Sequence, residues 1–325
     1  MRAIILGGAG FIGSHLAEKL LNSNYQVKII DNLSTGRPEN INHIKKKIKF
    51  IKADISKKGK WQNEFKNTDY VFHLAALADI VPSIDNPQEY YESNVTGTLN
   101  VLQACIKFKI KKLLYSASSS CYGIPKKYPT KENEKINPIF PYSVTKYLGE
   151  ELIVYWSKIY NINFISLRLF NVYGPRSRTS ETYGAMFGVF LAQKLSKMPF
   201  TMVGNGTQSR DFTYVSDVVD AFVIAARSKL SNKVFNVGSG KTVQVKKIIE
   251  YLGGDYVKIP KRPAEPNITY ADIASIKKNL KWRPRVDIKQ GIDIILKNIH
   301  YWKKAPVWTP KSIKKATKNW FKYLK

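Results

Sequence analysis

The sequence predicts an α/β fold: a doubly wound parallel sheet followed by a smaller, mostly C-terminal α/β domain. Three observations predict it. Across residues 1–125, short apolar runs alternate with segments of helical periodicity, as expected where parallel strands are joined by crossover helices. A glycine-rich turn separates the first such run from the first helix. An acidic residue then ends the second run, where a sheet of this kind presents its carboxyl edge to a ligand.

Taken in order, a strand over 2–7 runs into Gly7-Gly8-Ala9-Gly10-Phe11-Ile12-Gly13, and a helix follows over 12–23. Gly7 permits the tight turn, Gly10 lets backbone approach a pyrophosphate at the helix N-terminus, and Gly13 allows close helix–strand packing. This is the arrangement of a Rossmann-type dinucleotide site. The second strand, 26–31, ends in Asp31, spaced from the turn so that its carboxylate bonds both ribose hydroxyls of an adenosine. Because an acid there repels a 2′-phosphate, NAD is expected rather than NADP. The third strand, 48–53, ends in Ala53-Asp54-Ile55, beside the adenine. The fourth, 70–75, continues into Leu74-Ala75-Ala76, small residues where backbone nears the cofactor, and its His73 is expected to be a packed histidine. A helix over about 88–109, a strand over 111–117, a helix over 142–160 and a sixth strand over 163–170 complete the first half.

Length and charge narrow the classes. At 325 residues there is ample chain for one large or two interlocked domains. The formal charge of +29 comes mostly from lysines spread along the whole chain, which reads as compositional bias, so no nucleic-acid partner is expected. No apolar run reaches bilayer length and no leader precedes the first strand, predicting a cytoplasmic protein with no membrane insertion. Cys105 and Cys121 are too few for a disulfide framework or a metal site, and no metal is expected.

The chemistry sits in Tyr142-Ser143-Val144-Thr145-Lys146, preceded by Pro141 and by a serine cluster at Ser116, Ser118, Ser119 and Ser120. If Pro141 opens a helix, the i, i+4 spacing puts phenol and ammonium on one face. A cation beside a phenol favours the phenolate, which predicts a base working near neutrality.

At this point the chain resembles the extended short-chain dehydrogenase/reductases and, within them, the nucleotide-sugar epimerases. The resemblance rests on the glycine turn, Asp31-Asn-Leu-Ser-Thr-Gly36, His73-Leu-Ala-Ala76, Asn94-Val-Thr-Gly-Thr98, Ser116-Ala-Ser-Ser-Ser-Cys-Tyr-Gly123, the Tyr142–Lys146 segment, Arg168-Leu-Phe-Asn-Val-Tyr-Gly-Pro-Arg176 and Arg210-Asp-Phe. It implies Ser118, Tyr142 and Lys146 as the catalytic set. It implies cofactor contacts from Gly7, Gly10, Phe11, Ile12, Gly13, Asp31, Asn32, Ser34, Thr35, Gly36, Asp54, Ile55, Leu74, Ala75, Ala76, Ala78, Ser93, Ser116 and Phe170. For the substrate it implies Ser118, Ser119, Ser120, Asn171, Thr201, Met202, Val203, Arg210, Arg262, Glu265 and Thr269, with Arg210 and Arg262 on the diphosphate, Thr201–Val203 meeting the base through backbone and Glu265 on the nucleotide ribose. The implied reaction is oxidation and re-reduction of a nucleotide-linked hexose at C4, inverting that centre.

Relatives that divert the ketone place carboxylates after the Ser118 position. Ser119 and Ser120 stand there, disfavouring a 4,6-dehydratase or decarboxylase. Relatives that epimerise C3 and C5 use a cysteine two residues before the motif tyrosine, whereas Cys121 is one residue before Tyr122, which on a strand points to the other face. Thr269 falls at a gate position of the resembled enzymes and is small enough to admit N-acetyl sugars beside a UDP-hexose. A non-catalytic NAD- or RNA-binding protein is the remote alternative.

The expected domains are 1–170 for NAD and mainly 171–325 for the nucleotide sugar, with about 213–240 returning to the first, and 300–325 as a helical tail. The tail's spacing of Ile313, Ala316, Trp320 and Leu324 predicts one amphipathic helix docking on the body. A polar loop over 179–184 should precede a helix over 186–197. Helices 88–109 and 142–160 match those that pair into a four-helix bundle in homodimers of the resembled group.

Overall fold

In the computed structural model, which describes residues 1–177 and 183–324, strands and helices alternate as the pattern requires. The strands are β1 (Arg2–Leu6), β2 (Gln26–Asp31), β3 (Ile48–Lys52), β4 (Tyr70–His73), β5 (Lys112–Ser118), β6 (Phe164–Leu169), β7 (Asn171–Tyr173), β8 (Phe200–Val203), β9 (Ser209–Arg210), β10 (Phe212–Tyr214), β11 (Lys233–Val237), β12 (Val243–Gln244) and β13 (Tyr256–Ile259). The helices are α1 (Phe11–Leu21), α2 (Ile80–Asp85), α3 (Pro87–Tyr91), α4 (Gly97–Lys107), α5 (Pro141–Tyr160), α6 (Met186–Leu195), α7 (Val215–Arg227), α8 (Val245–Leu252), α9 (Ala274–Leu280), α10 (Ile288–Lys297), α11 (Pro310–Ala316) and α12 (Lys318–Tyr323).

Seven strands form one parallel sheet in the order β3-β2-β1-β4-β5-β6-β11. Side chains alternate across a strand, so a sheet covered on both faces needs apolar residues at every position. β1 shows this directly: Ala3 and Ile5 join the core under α1 and α7, while Ile4 and Leu6 join a second core under α4 and α5. Strand order reverses between β1 and β4, which opens a crevice at their carboxyl ends. The sheet's seventh strand comes from beyond residue 230, so the second half of the chain is tied into the first. Buried Lys112 on β5 strengthens that tie, donating to the carbonyls of Ala225, Ala226 and Ser228 at the C-terminus of α7, where a helix leaves acceptors without internal partners.

Two expectations change in detail. The helix expected over 88–109 begins at Pro87 and runs through a π-helical turn, Glu92–Thr96, into α4; short α2 precedes it and had no sequence signal. The tail forms two short helices that meet at Thr317, with Ile313 and Trp320 buried as the spacing required. Of the polar loop before α6, positions 179–182 lie outside the described residues. No described helix is long and apolar enough to cross a membrane.

Candidate active site

A cavity of about 610 Å³ follows the crevice from the glycine turn, past the ends of β2, β4, β5 and β6, to Arg262 and Trp320. At one end stands the N-terminus of α1, whose N-cap is Gly10, with no side-chain cap and no acid in its first turn. Backbone donors and the positive end of the helix dipole therefore face the cavity, a site built for an oxyanion. The turn is shut against the end of β4: a Cβ on Gly7, whose φ is +80°, would come within 2.7 Å of the Ala75 nitrogen. On Gly10 it would meet only the Gly7 carbonyl, at 3.1 Å.

Asp31 accepts from the Ala9 nitrogen at 2.9 Å and the Leu33 nitrogen at 2.8 Å, so the carboxylate that closes β2 also shapes the glycine turn. Burial pushes its pKa up, against these two bonds. Asp54 is held by Ser56 and by Asn32. Asn94, in the π-helical turn, accepts from the Leu77 nitrogen and donates to the Leu77 carbonyl and to Thr145, fixing the Leu74–Ala78 loop against α5. His73 bonds Thr98 at 2.9 Å, and burial, then the charge of Lys146, lowers its pKa to about 3. It is a neutral packing residue, as expected.

Pro141 is the first residue of α5, and the Ser143 hydroxyl accepts from the Phe140 nitrogen while donating to the Phe140 carbonyl. Tyr142 and Lys146 lie one turn apart beyond this start, and Ser118, whose hydroxyl is 2.8 Å from that of Ser120, is near enough to the Tyr142 phenol to draw its pKa down. The expected lowering of the phenol's pKa by Lys146 does not occur here. Burial raises Tyr142 to about 12, Ser118 draws it down, and the charge of Asp79, an acid the motifs did not flag, pushes it up. Lys146 instead sets its ammonium 4.3 Å from the centroid of the Tyr115 ring, a cation–π contact, and burial lowers its pKa to about 7 while Glu150 raises it.

Glu150 follows Lys146 by one more turn and pairs with Arg168 of β6; both side chains are nearly sealed, at 2% and 7% exposure. Ser166 donates to the same carboxylate at 2.7 Å. Arg168 also donates to the Tyr122 hydroxyl at 2.9 Å, which in turn donates to Asn236 of β11 at 2.7 Å. Tyr122 ends the 3₁₀ turn Ser119–Tyr122 that follows Ser118, so this buried network fixes the serine cluster from behind. Cys121 does not lie on a strand face as expected: the strand stops at Ser118, and Cys121 sits in that turn, buried, its thiol pushed up to about 12 by burial.

At the far end Arg210 donates to Glu265 at 2.9 Å, and Arg262 forks onto the same carboxylate at 2.7 and 2.9 Å. Two guanidiniums share one carboxylate, leaving a net positive charge; burial raises the Glu265 pKa, but Arg262 and Arg210 hold it below its ordinary value. Glu265, expected on a ribose, thus serves the two arginines in this arrangement. Thr269 donates to Asn171 at 2.8 Å and accepts from the Asp211 nitrogen. Asp211, which the Arg210-Asp-Phe motif contains but sequence reasoning gave no role, is buried and accepts from the nitrogens of Ser239, Gly240 and Ala271, holding two loops beside the cavity.

Nearly all the expected site residues border this one cavity, from Gly7 through Ser93, Ser116 and Phe170 to Thr269. Two do not. Gly36 packs behind Asp31, where a Cβ would lie 2.7 Å from its carboxylate. Met202 points the other way because alternation along β8 sends Thr201 and Val203 to the cavity and Met202 into the core beneath Gly206. The Thr201 nitrogen is itself bonded to Gln193, so it is not a spare donor.

The family model for the NAD-dependent epimerase/dehydratase family matches residues 3–238. A putative UDP-glucose 4-epimerase of Methanocaldococcus jannaschii is 37% identical over 89% of this chain and 95% of its own length. The structure superposes, at a TM-score of 0.86 and 32% identity, on a UDP-glucuronic acid 4-epimerase of Bacillus cereus solved with UDP-glucuronic acid and NAD, covering 94% of this chain and 99% of that one. A UDP-N-acetylglucosamine 4-epimerase of Methanobrevibacter ruminantium, solved with UDP-N-acetylmuramic acid, gives the same TM-score at 31% identity, covering 91% and 98%.

Proposed function

Because the chain belongs to the NAD-dependent epimerase/dehydratase family, we propose that it is a nucleotide-sugar 4-epimerase, interconverting UDP-glucose with UDP-galactose and UDP-N-acetylglucosamine with its galacto epimer. The observation that carries the reading is a single cavity joining an uncapped helix N-terminus, the Ser118–Tyr142 pair and two arginines, with Ser119 and Ser120 where a diverting reaction needs carboxylates.

These residues fit NAD. The open N-terminus of α1 with Gly10 takes the pyrophosphate, Asp31 the adenosine ribose hydroxyls, and Asp54 and Ile55 border the adenine. Held there, NAD would supply the acceptor and donor of a hydride at C4 and the positive charge of its oxidised ring. Tyr142 takes the 4-hydroxyl proton, Ser118 aligns that hydroxyl, and the proton returns from the same phenol when the ketone is reduced. Lys146 orients the nicotinamide ribose.

Inversion requires the keto sugar to turn while its diphosphate stays fixed. Arg210 and Arg262 supply the fixed end, with bidentate forks suited to phosphate oxygens, and Asn171 assists. The turning end is bordered by small polar side chains, Ser119, Ser120 and Thr269, leaving room for an N-acetyl group. Ser119 and Ser120, rather than carboxylates, follow Ser118, which disfavours removal of a C5 proton and elimination of the C6 hydroxyl.

The protein is further proposed to be a cytoplasmic homodimer paired through α4 and α5. Val144, Leu148, Tyr155 and Ile159 on α5 are exposed apolar side chains that support this. On α4, Val101 and Leu102 lie in the protein's own core and are not available to a partner.

The test incubates purified protein, without added NAD, with UDP-glucose, UDP-N-acetylglucosamine and UDP-glucuronate separately, following proton NMR. Galacto signals from the first two are expected. A 6-deoxy methyl signal, or carbon dioxide from the glucuronate, would overturn the reading.

A further inference from the structure

The C-terminal tail lies wholly outside the matched family segment, which ends at residue 238, yet its Trp320 borders the cavity and its Trp308 packs on Tyr183, which borders it too. At the end near β8, the Trp308 carbonyl accepts from Gln193 at 2.7 Å, the same amide that bonds the Thr201 nitrogen and hydroxyl. The Trp308 ring packs on Tyr183 at 5.4 Å. Tyr183 in turn covers one face of the Arg262 guanidinium, at 5.6 Å, and Trp320 covers another, at 5.1 Å. Trp320 borders the cavity, is itself buried, donates to the Pro263 carbonyl at 2.8 Å, and packs at 4.9 Å on Phe140, which caps the helix carrying Tyr142. Beside it, Asn319 donates to Asp85 of α2 at 2.8 Å.

Arg262 is therefore held by three things: its fork on Glu265 and two aromatic faces, one of which the tail brings. An Arg stacked on a desolvated ring keeps its fork direction, and with it its geometry toward a bidentate oxyanion. Resting on the functional reading above, we propose that the tail is part of the substrate site: Trp320 positions Arg262 for the diphosphate of the nucleotide sugar, and residues 308–320 form a strap whose docking and nucleotide binding favour each other.

Linkage makes this testable, since a ligand that prefers the docked tail must stabilise docking. Lys311, Lys314, Lys315 and Lys318 are exposed and give trypsin sites on the strap. The experiment uses the full chain with its cofactor, with UDP, dTDP and GDP as probes. The best-binding diphosphate is expected to slow tryptic release of the tail severalfold, and added NAD alone to leave it unchanged. In Trp320→Ala, the Kd for that diphosphate and the KM for its sugar are expected to rise about tenfold, the worth of one desolvated cation–π contact. Because Trp320 acts through Arg262, at the diphosphate end of the site, kcat is expected to change by about twofold or less. Trp320→Phe, which keeps an aromatic face, is expected to recover most of the affinity. Tail cleavage indifferent to a bound diphosphate, or equal affinity in wild type and Trp320→Ala, overturns this inference alone. Failure of the wild type to bind any of the three diphosphates overturns the functional reading and this inference with it.

Discussion

Replacing Glu150 by Gln removes one charge from the sealed pair that joins α5 to β6 while keeping its shape. The amide oxygen can still accept from Arg168, and Ser166 can rotate to meet the new NH₂, so the loss is the charge itself. What is left is a guanidinium 7% exposed whose acceptors, the new amide oxygen, the Tyr122 hydroxyl and the Glu132 carbonyl, are all neutral. Breaking a buried pair from one side costs about 3–5 kcal/mol, a large part of the roughly 5–15 kcal/mol that keeps a domain folded. Urea unfolding of the cofactor-free protein should show that loss as a lower midpoint at unchanged slope. Glu150→Leu combined with Arg168→Met should restore most of it, because the pair's own desolvation is then also removed. Loss of Glu150 also removes the influence that raises the Lys146 pKa, so any activity limb set by charged Lys146 should move to lower pH. An unfolding free energy within about 1 kcal/mol of wild type would refute the reasoning, since an exposed pair is worth that little.

Lys146 is lowered by burial to about 7, from an ordinary 10.5, so between those values the unfolded chain binds more protons than the folded one. Its contribution to stability is present above the unfolded value and lost as pH falls to about 7. Urea midpoints should therefore rise more steeply over that window in wild type than in Lys146→Met, by at most about 1.4 kcal/mol per pH unit. Thr269→Tyr should cut turnover of UDP-N-acetylglucosamine at least about tenfold while sparing UDP-glucose, which steady-state kinetics on both would read. Asp31→Asn should weaken NAD binding about ten- to hundredfold, the range of a hydrogen bond to a charged group, and narrow the preference over NADP in calorimetric titrations.

Most of the fold was legible because its signals are local. Apolar runs of strand length, a glycine turn that tolerates no Cβ at Gly7, and Pro141 opening α5 each act within a few residues. Tyr142 and Lys146 were legible for the same reason, their spacing being fixed by one helical turn. Their pKa values were not, since these depend on how deeply the cavity buries each group and on Tyr115, which arrives from β5. Glu150 could have been found by continuing the i, i+4 series one step, but its partner Arg168 lies on another strand. The same limit applies to Glu265, whose pairing with both arginines joins segments brought together only by the fold. In the tail, the spacing of apolar residues found what is buried, and the break at Thr317 escaped it.

The late arrival of β11 governs how this protein is made as well as how it is held. A ribosome delivers β6 with its outer edge bare, and that edge waits while the segment bearing Asn171, Arg210 and α7 is translated. A parallel seam between strands so far apart closes slowly, and an open strand edge meanwhile invites pairing with other nascent chains. Synthesis halted before residue 233 would therefore leave an association-prone remnant rather than a smaller nucleotide-binding protein. Asn171 and Arg210 thus lie on an insert within the sheet, whereas Arg262, Glu265 and Thr269 are translated only after its last strand.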